Sequence, residues 1–308
     1  MYVPDHGYEW VESVVVHDMD SGETCEGKGP YLMERQDSQM ENAYKPFEVK
    51  PALYTEVANL YHTPFPHLRD PILEIANKYG WLGIRDSVTR DGDCGKLESG
   101  ESIHEWGKTI GEIWELIQVS QWVRNKKLKA LGRCVEWSSD NSQYAFHFVS
   151  DKSLIHHVHC EPSRRKLFSR RGTFRREENP VLFEKWEREE SGYMSVGGRI
   201  RPVLGPAKLY LVSRINRHLL KKANPALLID ENGDLKKTFY VPRLLDAIWI
   251  GFYEAVQQPN GIKQCAVCGQ WMDMAGSRST KRMHSRCAHR KHQQKYLQRL
   301  RMLESQQP

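Results

Sequence analysis

Four residues near the end of the chain have the types and spacing that hold a metal ion. Cys265 and Cys268 form a Cys-x2-Cys pair, and His284 and Cys287 repeat the same spacing after a polar loop. Thiolates and an imidazole are soft ligands suited to Zn²⁺, and each tight pair spans one edge of a tetrahedron. Gly269 follows the first pair, where a knuckle turn needs it. Cys287 is the third ligand. The fourth is His284 or His292: His284 matches the first pair's spacing, and His292 would give Cys-x4-His. His289 lies too near Cys287 in sequence to coordinate comfortably. Four protein ligands leave no open position, and no Glu accompanies them as a general base. The expectation is one structural Zn²⁺ that contributes folding energy.

The second chemistry is cationic. After the cysteines comes a basic stretch of helical character, with Arg286, Arg290, Lys291, Lys295, Arg299 and Arg301 beside Tyr296, Leu297 and Leu300. Residues 163–176 interleave Arg164, Arg165, Lys166, Arg170, Arg171, Arg175 and Arg176 with Phe168 and Phe174, and Lys126, Lys127 and Lys129 add a third run. Lys and Arg neutralise phosphates and release counterions, and aromatics stack on bases. The net charge of +6 conceals an asymmetry: residues 1–120 carry 10 Lys/Arg against 22 Asp/Glu, and residues 262–308 carry 10 against 2. Such a division steers a polyanion to one part of the chain. The acidic first third could dock a basic protein partner.

The third candidate is Ile155-His156-His157-Val158-His159-Cys160. On a strand His157 and His159 share a face, so a metal-dependent nuclease or hydrolase would start there. Satisfied strand histidines are the plainer alternative. The rest of the chain shows no nucleophile elbow, phosphate loop or HExxH.

These groups need elements to position them. Hydrophobic residues are 39% of the 308 and aromatics 10%, enough for a core, while a mean hydropathy of −0.65 implies a charged surface. Val14–Val16 and Tyr31–Met33 predict a strand pair around the turn Met19-Asp20-Ser21-Gly22-Glu23, and residues 37–51 read as loop. Residues 53–80 predict a helical hairpin, with Asp70 capping the second helix, Pro71 at its first position and Gly80 ending it. Residues 90–101 read as loop. Ser102-x-x-Glu105 is a capping box for a helix to 123 that buries Trp106, Ile110, Ile113, Trp114 and Ile117. Strands follow within 143–160, then a polar insertion at 161–190. A helix over 205–223 turns Leu209, Val212, Ile215, Leu219 and Leu220 inward. Asn232-Gly233 marks a hairpin between 226 and 241, and an apolar helix runs from 242 to 256. The fold class is α+β and helix-rich: a helical body with small β-hairpins, then a C-terminal zinc finger and basic helix. The expected regions are an acidic 1–123, a basic 124–261 and a zinc-bearing 262–308.

The last part resembles a known group. Cys-x2-Cys-Gly with an aromatic, a polar Arg/Lys loop, a second Cys/His pair and a basic helix is similar to bacterial C-terminal zinc fingers of the CGNR type. Those follow an apolar helix, as Leu244 to Val256 does here. The resemblance covers about residues 243–300. His284 stands where those fingers usually have Cys, and Cys287-Ala288-His289-Arg290 replaces the Cys-Gly-Asn-Arg signature. It implies DNA binding in a bacterial regulator.

The expected function is nucleic-acid binding, of DNA over RNA, as a regulator or as a subunit of a nucleoprotein complex such as a CRISPR-type or other defence effector. The alternatives are the His-cluster hydrolase and a protein-interaction adaptor with a purely structural zinc. Four scattered cysteines argue against a disulfide scaffold. No apolar run approaches the ~20 residues that span a bilayer, and no secretory pattern opens the chain, so a reducing cytoplasm and no membrane are expected.

Overall fold

A computed structural model describes residues 2–4, 7–18, 20–27, 29–35, 40–43, 52–64, 67–84, 86–90, 97–137, 143–146, 172–175, 193–196, 199–220, 224–229, 235–241, 243–275, 277 and 281–304. The chain divides into two compact units, Met1–Tyr253 and Glu254–Pro308. It is α+β and helix-rich, with seven α-helices among the described residues. None of those helices is long and apolar enough to cross a membrane.

The first unit opens with strands β1 (Tyr2–Pro4), β2 (Tyr8–Val11), β3 (Val14–His17), β4 (Thr24–Glu26), β5 (Tyr31–Glu34) and β6 (Met40–Ala43). Two more, β7 (Asp86–Arg90) and β8 (Glu98–Ser102), complete an antiparallel six-stranded sheet of order β2-β5-β8-β7-β3-β4, while β1 pairs with β6. The expected pairing of Val14–Val16 with Tyr31–Met33 is corrected: β3 pairs with β4 and β7, and β5 with β2 and β8. Their side chains still share a core, since Val14, Tyr31, Met33 and Val88 pack in one buried cluster. Asp18 closes the β3–β4 turn by accepting from Asp20 N and Ser21 N. Arg90 ties strands together, donating to Glu9, Glu98 and the Glu34 carbonyl at 2.5–3.1 Å. Two stretches expected as loop contain strands, β6 and β8. Glu98-Ser-Gly-Glu-Ser has weak strand propensity, and its pairing to β5 and β7 overrides that.

Helix α1 (Leu53–Asn59) runs into a 3₁₀ turn at Leu60–His62, and α2 (Arg69–Tyr79) follows. Gly80 ends α2 with φ +85° and donates to Ala76 O, as expected. Its start differs: Leu68 is the N-cap, and Asp70 falls within the first turn, where a carboxylate still complements the helix dipole. Helix α3 (Ile103–Arg124) begins at Ser102, whose hydroxyl accepts from Glu105 N at 3.3 Å. It buries Trp106, Ile110, Ile113, Trp114 and Ile117, and Trp114 stacks on Tyr61 at 4.1 Å.

A short helix α4 (Leu128–Gly132) leads to β9 (Val135–Trp137), β10 (Gln143–Phe146) and β11 (Gly172–Arg175), which form a three-stranded sheet. Thus part of the expected polar insertion is a strand. The hairpin of β12 (Tyr193–Val196) and β13 (Arg199–Pro202) precedes α5 (Leu204–Leu219). The buried face of α5 is Ala207, Tyr210, Leu211, Arg214 and Ile215, not the Val212 and Leu220 expected, which are exposed. The shift has a polar cause. Arg214 and His218 meet the buried Glu112 of α3, and Tyr210 donates to the buried Glu115. Burial, then the Glu115 carboxylate, push the Tyr210 phenol well above its ordinary pKa. His218 stacks on Trp249 at 3.9 Å. The hairpin of β14 (Asn224–Ile229) and β15 (Leu235–Tyr240) flanks the Asn232-Gly233 turn signal, and α6 (Leu244–Gln257) runs from the first unit into the second.

Glu101 on β8 is wholly buried. Its carboxylate accepts from Leu82 N, Gly83 N and Ile84 N at 2.5–3.0 Å and from the Trp106 indole at 3.0 Å. The loop after α2 is thereby fastened to the junction of sheet and α3. Gly83 has φ +88°, and a Cβ there would lie 2.6 Å from Arg243 Cβ, so only glycine fits beneath that side chain. Arg243 in turn pairs with the buried Asp246 at 2.6 Å, and Leu245 N donates to Leu82 O. Replacing Glu101 by Ala would strand two buried donors, Leu82 N and the Trp106 indole, and the half-buried Gly83 N and Ile84 N. Unfolding by denaturant should show a loss of about 3 kcal/mol or more, with Gln recovering part of it; a loss below about 1 kcal/mol would contradict this role.

Candidate metal centre

The second unit is built around a small hairpin of β16 (Ile262–Gln264) and β17 (Trp271–Asp273), followed by helix α7 (Ser285–Glu304). The chain reverses between the two strands in a tight knuckle. Cys265 N donates to Gln270 O at 2.8 Å, and Gly269 N donates back to Cys265 O at 2.9 Å. Gly269 takes φ +70°, a left-handed conformation that costs a side-chain-bearing residue free energy. The knuckle therefore places the Cys265 and Cys268 sulfurs on the same side of the turn.

The other two donors come from the start of α7. His284 immediately precedes it, and Cys287 lies in its first turn, where Ala288 N donates to His284 O. Ala266 N bonds Arg282 O at 3.0 Å and joins the knuckle to the segment that delivers His284. Arg286 donates to Gln270 across the same gap at 3.1 Å.

The donor atoms of Cys265, Cys268, His284 and Cys287 all lie within 4.8 Å of one another. The Nδ1 atom of His284 is 3.4 Å from Cys268 Sγ and 3.9 Å from Cys287 Sγ. Bonds of about 2.3 Å to sulfur and 2.0–2.1 Å to nitrogen, set at tetrahedral angles, give S···N edges of roughly 3.6 Å and S···S edges of roughly 3.8 Å. The two His284–sulfur distances bracket that S···N edge, and the 4.8 Å span of the four donors leaves room for a four-coordinate ion. Three sulfurs and an imidazole can thus hold one metal ion. Cys265 and Cys287 are buried together with Met272 and Met274, which exclude water from one side.

Thiol acidity suits this use. Burial pushes the Cys265 thiol up, but backbone N–H groups of Cys268, Val267 and His284 more than offset it and bring it down to about 6. Burial, then the Cys268 and Cys265 sulfurs, push the Cys287 thiol up. Cys265 is accordingly a thiolate near neutral pH, and a metal must displace the Cys287 proton.

Among the histidines considered for the fourth position, His284 joins the cysteines, while His289 and His292 are exposed on α7. The expected nucleic-acid contacts fall in several places. Arg286, Arg290, Lys291, Lys295 and Arg299 are exposed along α7. Lys126 and Lys127 are exposed between α3 and α4 of the first unit, with Lys126 at φ +48°. Arg175 ends β11. Arg164, Arg165, Lys166, Arg170, Arg171, Arg176 and the His156, His157 and His159 cluster lie outside the described residues. Two contacts escaped the sequence reading. Gln270 bridges the knuckle to Arg286, and the Met272–Met274 pair lines the centre. The Trp271-Met-Asp-Met pattern directly after the knuckle is the signal that could have found them.

The chain matches no family model, no curated protein and no solved structure.

The donor geometry sets a metal-content test. The purified chain should carry one metal ion, and Cys287→Ala should carry none, whereas His289→Ala and His292→Ala should keep it. Elemental analysis reads this directly, and retention by Cys287→Ala would refute the assignment. Because the ligands must be deprotonated, uptake should release protons and affinity should fall as pH drops.

Proposed function

We propose that this protein binds nucleic acid, DNA in preference to RNA, through a zinc-stapled module, as a regulator or as a subunit of a nucleoprotein complex. The observation that carries the reading is α7. It is a 20-residue helix rooted at the metal centre, and every residue from His289 to Arg299 is exposed. Over that stretch the helix buries no apolar face of its own, so its order there must come from its root or from a ligand.

Zinc is the metal that three thiolates and an imidazole favour, and four protein ligands complete its tetrahedron. Its role is then structural: it fixes the angle at which α7 leaves the knuckle. Residues 262–308 carry 10 cations against 2 anions, which favours a polyanion as partner. A projecting α-helix suits the major groove of B-form DNA, about 12 Å wide, whereas the deep, narrow major groove of A-form RNA excludes it. The basic stretch 163–176 and Lys126–Lys127 would add backbone contacts, and the acidic first third remains available for a basic protein partner.

Binding of a fluorescent duplex by the zinc-loaded chain should weaken steeply with salt. Changing Arg290, Lys291 and Lys295 together to Ala should lower affinity at least tenfold at low salt and flatten the slope of log Kobs against log salt by about 2–3, near 0.9 per lost phosphate contact. Duplex affinity indifferent to both salt and these substitutions would reject the proposal.

A further inference from the structure

Successive residues of an α-helix turn by about 100°. On α7 that register gathers the cations from Arg286 to Arg299 into two ridges, and Arg301 in the last turn falls between them. Arg286 and Arg290 form the first, and Lys291, Lys295 and Arg299, spaced four apart, form the second. Between them runs an arc of roughly 100°. At the helix root this arc holds the buried metal-centre residue Cys287. Further out it holds Gln294 and Gln298, one turn apart and both exposed. The wider arc on the other side holds His289, His292, Gln293 and Tyr296.

A helix seated in the major groove faces two phosphate backbones on its flanks and the base edges on the groove floor. The two ridges match the flanks, where charge is wanted and sequence is not read. The arc between them matches the floor, and there the chain places carboxamides. A Gln side chain offers one donor group and one acceptor in a plane, which pairs bidentately with adenine N7 and N6. Gln294 and Gln298 are about 6 Å apart along the axis, so they reach different base pairs. The opposite arc carries an aromatic ring, imidazoles and a single carboxamide, Gln293, and no pair of carboxamides one turn apart.

We infer that Gln294 and Gln298 are the sequence-reading residues of α7 and select adenine-containing steps in the major groove of duplex DNA. This rests on the nucleic-acid reading above. It adds that recognition has a direct component besides phosphate attraction, and it assigns that component to two neutral residues.

The test selects duplexes from a randomised pool with the zinc-loaded full chain, then compares wild type with a Gln294→Ala/Gln298→Ala variant by competition binding. Alanine is a better helix former than glutamine, and both sites are exposed, so the variant should keep its fold and metal content. Wild type should enrich adenine at one or two positions and discriminate against substitution there by about 5- to 150-fold per contact. The variant should lose that preference while holding affinity for unselected duplex within about twofold, because the phosphate contacts are untouched. Replacing the selected adenines by 7-deazaadenine should weaken wild type and leave the variant unchanged. Duplex binding with no enrichment, or an enrichment that the variant retains, would overturn this inference and leave the nucleic-acid reading standing. A preference lost instead in Tyr296→Ala would overturn it too and move the contact to the other arc. Failure to bind any duplex at low salt would remove both.

Discussion

The second unit depends on four donor atoms being drawn to one point. Its buried cluster around the centre is Cys265, Met272, Met274 and Cys287, so two of its four members belong to the group that can hold a metal ion. A unit of this size buries too little apolar surface to offset its conformational entropy, and small modules of this kind need a staple. Apparent binding free energies of structural zinc in finger peptides, about 10–16 kcal/mol near neutral pH, are ample for that. The four donors also straddle the knuckle and the root of α7, so one ion held there would join a turn to a helix that is exposed from His289 to Arg299. Without such an ion, no residue from His289 to Arg299 has buried surface of its own to hold that stretch in place.

The first unit is held in a different way. Its helices and sheets bury large side chains, among them Trp106, Trp249, Tyr54 and Tyr210. Inside that apolar mass sit charged groups with dedicated partners: Glu101 under the loop after α2, Asp246 with Arg243, and Glu112 and Glu115 against α5. Unpaired, each would cost several kcal/mol, and all but the local Arg243–Asp246 pair demand that two distant segments meet. The contacts join residues up to about a hundred positions apart and specify which face of α5 turns inward.

Local signals in the sequence were legible where chemistry is local. Cys265-x2-Cys268 and His284-x2-Cys287 declared the centre, Ser102 and Glu105 the start of α3, and Gly80 the end of α2. Non-local arrangements were hidden. Strand β8 reads as a polar loop because its acidic residues are tolerated only when Glu101 meets the backbone of 82–84. The face of α5 was misjudged by one position because Tyr210 and Arg214 look solvent-bound until Glu115 and Glu112 are placed beside them. Strand order could not be read either, since Val14 and Tyr31 share a core without pairing. On α7 the cations are legible from composition alone, whereas the position of Gln294 and Gln298 between them depends on the helix register.

Coupling between metal, helix and ligand is the heart of the account, and one titration reads all three. Zinc is withdrawn from the full chain with a chelator and then restored, while far-ultraviolet circular dichroism follows helicity and anisotropy follows a labelled duplex. A drop in helicity corresponding to about one 20-residue helix, accompanied by loss of duplex binding, with both recovered on adding zinc, is the predicted result. Duplex binding that persists undiminished in the chelated chain would contradict it.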